Sequence, residues 1–98
     1  MTTKQRAALR SMGSVLKPIL YIGKDGIGPN LLKQAYDALE ANELIKVSVQ
    51  KNAPYTAREA CDELCEQVHA EPVQVIGSRF VIYRQANENS KIKLEDLG

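Results

Sequence analysis

A glycine-rich segment from Gly23 to Gly28 contains the residues best suited to binding a ligand. Three glycines fall within six residues and surround Lys24. Glycine has no Cβ, so it adopts positive φ angles and lets the backbone approach a ligand closely. The segment follows an apolar run and precedes Pro29, a residue favoured at the first position of a helix. The free N–H groups and partial positive charge of a helix start suit a phosphate, with Lys24 as a mobile cation. The same spacing also fits an ordinary strand-to-helix turn.

A second candidate surface lies on the predicted first helix, over residues 3–16. Arg6, Arg10 and Lys17 fall within about 40° of one another, provided that the helix extends as far as Lys17. No acid interrupts this stripe, so we expect it to contact phosphates; a solvated charged face is the alternative. The face that should dock beside it contains Ala8, Leu9, Met12, Val15 and Leu16.

The charge distribution favours a polyanionic partner for the first half of the chain. The net charge is only +1, but residues 1–36 contain six basic groups against Asp25 alone, whereas residues 56–71 contain Arg58 against five acids. A length of 98 residues with 44% apolar residues indicates one globular domain. No apolar segment approaches the ~20 residues that span a membrane, and nothing resembles a secretory signal. We therefore expect a cytoplasmic protein that does not bind membranes.

Cys61, Cys65 and His69 lie on one helical stripe at i, i+4 and i+8. The pattern resembles a metal site, but a closed zinc site needs four ligands and no fourth is obvious. Two cysteines on successive turns of one helix also suit a disulfide poorly. We expect both cysteines to be small buried side chains, with His69 at the helix edge, and no metal or cofactor.

Nothing in the sequence indicates catalysis. A single histidine leaves no visible pairing of a nucleophile with a base. The glycines run GxxGxG, which is not the dinucleotide pattern GxGxxG, and the Gly-Lys-Ser/Thr ending of a Walker loop is absent. Gly77 to Tyr83 partly matches an RRM motif but lacks the aromatics of a stacking platform. A GxxG loop also clamps nucleic acid in KH domains, where it joins two helices, whereas here a strand enters it. We expect neither an enzyme nor a small-molecule substrate.

Periodicity and chain breakers predict seven elements in the order α-β-α-β-α-β-β. Capping boxes at Thr2 and Thr56 begin the first and third helices, and Asn42 is a plausible left-handed residue at the end of the second. The second helix is predicted over 29–41, and the strands over 19–22, 44–50, 73–76 and 79–84. Residues 1–85 should form the domain, with 86–98 as a flexible or loosely attached tail.

These elements predict an α/β fold with a four-stranded mixed sheet. Two helical crossovers imply parallel pairing, and the closing hairpin at Gly77-Ser78 is antiparallel. The first and fourth strands are apolar on both faces, so helices should pack on both sides of the sheet. The acids of the third helix should point away from any nucleic acid.

Five short motifs occur in an order that resembles the CRM domain, named for chloroplast RNA splicing and ribosome maturation, whose stand-alone bacterial members are the YhbY-like proteins. The motifs are Leu16-Lys17-Pro18, Ile22-Gly23-Lys24-Asp25-Gly26, Glu43-Leu44-Ile45-Lys46-Val47, Val75-Ile76-Gly77 and Tyr83-Arg84. The match covers roughly residues 2–85. It implies an RNA-binding domain similar in fold to the C-terminal domain of the bacterial initiation factor that occupies the small ribosomal subunit.

The resemblance also implies which residues meet RNA. Asp25 departs from a basic or polar loop centre and would weaken phosphate attraction unless it caps the helix. The resemblance places the GxxG loop and its neighbouring basic surface against the RNA, and by position the implied residues are Gly23, Lys24 and Gly26 in the loop, Arg6, Arg10 and Lys17 beside it, and Lys46 and Arg84.

For single-domain bacterial members, the resemblance implies association with precursors of the large ribosomal subunit. We therefore expect a monomeric RNA-binding protein that contacts ribosomal RNA in pre-ribosomal particles during ribosome assembly. A KH-like RNA regulator is the alternative within this class. A protein-interaction module that uses the acidic face of the third helix is the alternative from another class.

Overall fold

The computed structural model describes residues 1–86 and residue 92, and its elements follow the order predicted from the sequence. No helix in this part of the chain is long and apolar enough to cross a membrane. The α/β prediction is confirmed. The elements are α1 (Thr3–Ser14), β1 (Leu20–Ile22), α2 (Pro29–Asn42), β2 (Leu44–Val49), α3 (Ala57–Val68), β3 (Glu71–Ile76) and β4 (Arg79–Tyr83).

The four strands form one mixed sheet in the order β1-β2-β4-β3. β1 pairs with β2 in parallel, and β4 is antiparallel to both β2 and β3. The first crossover therefore joins paired parallel strands, as predicted. The second joins β2 to β3, which run in the same direction but do not pair, because β4 lies between them. The predicted parallel pairing at this crossover is wrong, since strand order depends on long-range packing rather than on the connection.

Helices cover both sides of the sheet, as predicted. α2 and α3 pack against the face that contains Ile22, Ile45 and Phe80, all at most 1% exposed. On the other face, Leu9 of α1 packs into a smaller cluster formed by Leu44, Val73, Val81 and Tyr83. β2 divides its side chains between these faces by simple alternation. Val47 and Val49 enter the larger core, whereas Lys46 and Ser48 face the side of α1.

α1 is shorter than predicted and docks through a narrower face. The capping box is present, since Thr2 Oγ1 accepts from Gln5 N at 3.0 Å and Gln5 Oε1 accepts from Thr2 N at 2.9 Å. Leu9 and Gly13 are the buried residues of the helix, and a Cβ at Gly13 would lie 2.8 Å from Cγ1 of Val81. The helix ends at Ser14, so Val15 is 83% exposed. The prediction that Met12, Val15 and Leu16 are buried is wrong, because a helix that approaches the sheet at a glycine contacts it over only one turn.

Glu43, not Asn42, is the residue with a positive φ at the end of α2, with φ of 65° and ψ of −41°. Its side chain is fully buried, and its carboxylate accepts from Ala86 N at 2.7 Å and from Ile92 N at 2.6 Å. This acid holds the chain that follows β4 against the end of α2. The predicted tail over 86–98 otherwise lies outside the described residues, and the domain boundary at residue 85 stays a prediction.

The two strands predicted to be apolar on both faces differ in their environment. β4 is central, and Phe80, Val81, Ile82 and Tyr83 are all buried. β1 is an edge strand of three residues, in which Leu20 and Ile22 face the larger core and Tyr21 is 57% exposed. Both faces of β4 are therefore covered, whereas one face of β1 is open.

Candidate nucleic-acid interface

The glycine segment connects β1 to α2 at the edge of the sheet where β1 and β2 both end. Ile22 lies opposite Val49 in the parallel pair, so residues 23–28 and 50–53 leave the sheet side by side. Gln50 N donates to the carbonyl of Ile22 at 2.9 Å, and a Cβ at Gly23 would lie 3.2 Å from Oε1 of Gln50. This carboxyl edge of parallel strands is where open α/β sheets commonly bind ligands.

Gly26 is required by both backbone conformation and space. Its φ is +68°, in the left-handed region, and its N–H donates to the carbonyl of Gly23 at 3.0 Å. A Cβ at this position would lie 3.1 Å from Cε2 of Tyr55. The resulting turn leaves both of its central side chains, Lys24 and Asp25, exposed to solvent.

Gly28 leaves the start of α2 open. It occupies the N-cap position with an extended backbone, and no side chain of residues 1–86 caps the helix. Leu32 donates to the Gly28 carbonyl at 3.0 Å, so the N–H groups of Asn30 and Leu31 precede the first intrahelical bond. A side chain at Gly28 would meet nothing within 4 Å. An anion can therefore approach these N–H groups and the positive end of the helix dipole.

An open cleft of about 670 Å³ lies against the loop. Loop residues 23–26, Gly28 and the start of α2 form one wall, and Gln50 and Asn52 from the turn after β2 contribute amide groups to the lining. Tyr21 lies on its rim. Asp25 offsets part of the attraction that Lys24 exerts on a polyanion at this cleft, so the helix start and the exposed Lys51 of the neighbouring turn have to add to it.

The stripe predicted on α1 does not lie beside this loop. The guanidinium of Arg6 lies 4.0 Å from Glu71 of β3, three strand spacings (about 14 Å) from β1. Arg10 is exposed on the same helix. Lys17 follows the helix end and lines a small cavity with Asn42 and Leu44, at the end of β2 opposite the loop. Arg6 and Lys17 therefore lie away from the loop. Gly23, Lys24 and Gly26 lie together along its cleft.

Lys46 and Arg84 occupy opposite faces of the sheet. Lys46 faces the α1 side, where its Nζ donates to the carbonyl of Ser14 at 3.3 Å. Arg84 faces α2 and α3, and only 13% of its side chain is exposed. Its guanidinium is engaged by protein groups, including Glu40 at 2.6 Å. A role in RNA binding stays a prediction for both residues.

The cysteines on α3 belong to the core, as expected. Cys61 is fully buried and Cys65 is 7% exposed, whereas His69 is an exposed left-handed residue at the helix end. A hydrogen bond between the two thiols, together with burial, raises the pKa of Cys65 well above its usual range. Among the described residues, no group of three histidine, cysteine or acidic side chains is arranged to hold a metal ion.

The acids of α3 lie on the side of the sheet away from α1. Ala57, Ala60, Leu64 and Val68 face the core, so the exposed acids Asp62 and Glu66 project from the opposite side of the helix. These acids therefore lie on the other side of the sheet from Lys46 and Arg10. Their predicted orientation away from nucleic acid stays a prediction.

Comparison with known proteins identifies the family. A family model for the CRS1 / YhbY (CRM) domain matches residues 1–84. The chain belongs to the CRM domain family. It is 40% identical over 94 residues to "Probable RNA-binding protein YqeI" of Bacillus subtilis (strain 168), covering 96% of this chain and 98% of that protein. It is 33% identical to "Probable RNA-binding protein PA4753" of Pseudomonas aeruginosa, covering 93% and 88% of the two chains.

A solved structure shares the same CRM fold. The solution structure of protein SAV1595 from Staphylococcus aureus superposes with a TM-score of 0.78 at 46% sequence identity, covering 95% of this chain and 97% of that one. At this identity and coverage, the topology described above is that of a close relative. The fold class and the resemblance inferred from the motifs are both confirmed.

Sequence reasoning missed three contributors to the CRM loop cleft. Gln50 is predicted as the last residue of a strand and Asn52 is not singled out in the sequence, yet both line the cleft. Tyr21 on its rim is 57% exposed, although its strand is predicted to be covered on both faces. The parallel pairing of β1 with β2 could have revealed the first two, because it places the residues after both strands at one edge.

Proposed function

We propose that this CRM protein binds structured RNA without catalysing a reaction, and that it does so during assembly of the large ribosomal subunit. The observation that carries the proposal is the glycine loop at the carboxyl edge of β1 and β2, next to an uncapped helix start. The loop offers backbone N–H groups and Lys24 to phosphates. Two relatives that match nearly the whole chain are named RNA-binding proteins.

The distribution of charge favours the α1 side of the sheet as the surface that contacts RNA. Lys46 and Arg10 lie on the α1 side of the sheet and Lys24 at its loop edge, whereas the acids of α3 lie on the other side. The Arg6 ion pair with Glu71 is exposed on both partners, at 40% and 58%. Pairs of this kind contribute about 0–1 kcal/mol, so a phosphate can replace Glu71 at little cost. Affinity would come mainly from phosphates, with little base readout.

The salt dependence of RNA binding by the whole chain tests the proposal. If Arg6, Arg10, Lys17 and Lys24 supply about four phosphate contacts, log affinity plotted against log salt should have a slope near −3, at ~0.7 per contact for single strands, and a steeper slope for a duplex. Lys24→Gln should reduce the slope by about 0.7, and Arg6→Gln with Arg10→Gln by about 1.4.

Arg58→Gln is the matched control for these variants. Arg58 lies on α3 and pairs with Asp62 of the same helix at 3.6 Å, on the side of the sheet away from α1. Its removal should leave the slope unchanged. A wild-type chain with no salt-dependent affinity for RNA, or a slope that changes with Arg58 and not with Lys24, would contradict the proposed function.

The assembly role is tested separately, in a lysate gradient. The protein should sediment with precursors of the large subunit rather than with mature ribosomes, and Lys24→Gln should release it into the light fractions. Sedimentation with the small subunit alone would contradict this part of the proposal while leaving RNA binding intact.

A further inference from the structure

One residue from every strand of the sheet belongs to a single cross-strand row near the glycine loop. Tyr21 of β1 lies opposite Ser48 of β2, Ser48 lies opposite Arg79 of β4, and Arg79 lies opposite Ile76 of β3. Residues directly opposite one another project from the same face of a sheet. Tyr21 is 57% exposed and Ile76 is 63% exposed, and Arg79 is exposed as well.

The row is open because α1 covers only the other half of this face. Leu9 packs on Leu44 and Tyr83 at the opposite end of the strands and on Val81 in the row next to the open one. The last residue of α1, Ser14, reaches Lys46 in the neighbouring row. A cavity of about 300 Å³ separates Ser14 from the side chains of Arg79 and Ile76. The helix thus ends before it reaches the row.

The chemistry of this open row suits an unpaired nucleotide. Tyr21 presents an aromatic ring, and its hydroxyl donates to the carbonyl of Pro18 at 3.3 Å, which helps to fix the ring. In the described part of the chain, no hydrogen bond or ion pair engages the Arg79 guanidinium. Neither this row nor the next one, formed by Lys46, Val81 and Gln74, contains an acid.

Tyr21 also connects the row to the proposed RNA site. Its side chain lies on the rim of the loop cleft, so a strand bound at Gly23 to Gly28 can continue over the ring without leaving the surface. The path then crosses Ser48 to Arg79 and reaches Lys46 and the exposed face of α1. This row therefore bridges the loop and the basic residues of α1, which the fold otherwise keeps apart.

We infer that the row Tyr21–Ser48–Arg79 binds an unpaired nucleotide of the same RNA, with its base stacked on Tyr21 and its phosphate held by Arg79. The inference rests on the proposed function. Base stacking on an exposed aromatic is sequence-tolerant, because every base has a π-face. The row consequently selects single-stranded segments next to structured RNA rather than a particular sequence.

The test compares two RNAs, a hairpin with a single-stranded extension and the same hairpin without it. Tyr21→Thr keeps a residue that favours strands and removes the ring. It should weaken binding to the extended hairpin about tenfold, with an unchanged salt slope and little effect on the blunt hairpin. Tyr21→Phe should retain wild-type affinity. Arg79→Gln should reduce the salt slope by about 0.7 with the extended hairpin, whereas Lys33→Gln on α2 should not.

Photo-crosslinking of wild-type protein keeps the inference testable if Tyr21→Thr does not fold. An extension that contains 4-thiouridine should crosslink to the peptide of Tyr21. One outcome overturns the inference and leaves the proposed function standing. In that outcome wild-type protein binds RNA and Lys24→Gln weakens the binding, but Tyr21 does not crosslink and Tyr21→Thr does not change the affinity for the extended hairpin. If wild-type protein binds neither RNA, the proposed function itself fails.

Discussion

The guanidinium of Arg84 donates to Oε1 of Glu40 at 2.6 Å and to the carbonyl of Val68 at 3.1 Å. It also lies 4.3 Å from the centre of the Tyr36 ring. One side chain thus joins the last turns of α2 and α3 to the residue that follows β4. The family resemblance implies an RNA contact for Arg84, whereas its geometry gives it a role in holding two helices against the sheet.

We expect Arg84→Gln to destabilise the protein by roughly 2 kcal/mol. Removing one partner of a largely buried pair leaves Glu40 and the Val68 carbonyl short of a donor, and loss of the cation–π contact adds to the effect. Urea unfolding measures the change. Arg79→Gln is the matched control, because Arg79 is exposed and its loss should change stability by less than about 0.5 kcal/mol. An Arg84→Gln protein that unfolds like the wild type but loses RNA affinity would instead favour a direct RNA contact.

Gly28 allows charge to be tested without backbone strain. Serine or aspartate here would enter open space and would cap α2, so both variants should be as stable as the wild type or slightly more so. We expect Gly28→Asp to bind RNA at least fivefold more weakly than Gly28→Ser, because only aspartate puts a negative charge where a phosphate approaches. Equal affinities in a titration with one RNA would remove the helix start from the site.

Gly26 is a poorer position for this test. Its φ of +68° and the nearby Tyr55 ring mean that Gly26→Ala should itself destabilise the fold by about 1 kcal/mol or more. Gly26→Asp should weaken RNA binding at least tenfold, but the result is interpretable only with a melting curve. A folded Gly26→Asp protein that binds RNA as tightly as the wild type would exclude the loop from the RNA-binding site.

The contact between Gly13 and Val81 should set the position of α1. Gly13→Ala improves helix propensity by about 1 kcal/mol but places Cβ 2.8 Å from Cγ1 of Val81 in a packed cluster. We expect a net destabilisation of roughly 1 kcal/mol. In a double-mutant cycle with Val81→Ala, the combined loss should be smaller than the sum of the two single losses. If the two losses in stability add exactly, α1 moves away from Val81 in the Gly13→Ala protein without a cost in stability.

The thiols of Cys61 and Cys65 should be unreactive in the folded protein. The raised pKa of Cys65 disfavours the thiolate that reacts with iodoacetamide. The hydrogen bond with Cys65 lowers the pKa of Cys61 instead, but Cys61 is fully buried, so the reagent cannot reach it in the folded protein. Because the pKa of Cys65 is higher in the folded state, its contribution to stability is present below the ordinary thiol pKa and is lost as the pH rises above it. Alkylation should need urea, and elemental analysis should find no stoichiometric zinc. Rapid labelling without denaturant would contradict this prediction.

Local patterns determined the elements and most of the candidate loop. Thr2 and Thr56 cap their helices as predicted, Pro29 begins α2, and the alternation of β2 assigns its two faces. These features depend on residues close in the chain, because capping, proline geometry and side-chain periodicity act over a few residues. The glycine turn was predictable for the same reason, since its hydrogen bond joins Gly26 to Gly23.

Tertiary structure alone decided which charged residues share a surface. β4 enters between β2 and β3, which places Arg79 in one row with Tyr21 and turns Arg84 toward the helices. α1 crosses the sheet toward β3, which moves Arg6 away from the loop. Strand order and helix placement follow from how the whole core packs. Pairings between residues far apart in the chain, such as Tyr21 with Ser48 and Ser48 with Arg79, leave no periodic signal in the sequence. The sequence by itself therefore determined the GxxG loop and its helix, whereas only the fold brought an exposed tyrosine and an exposed arginine into one row beside them.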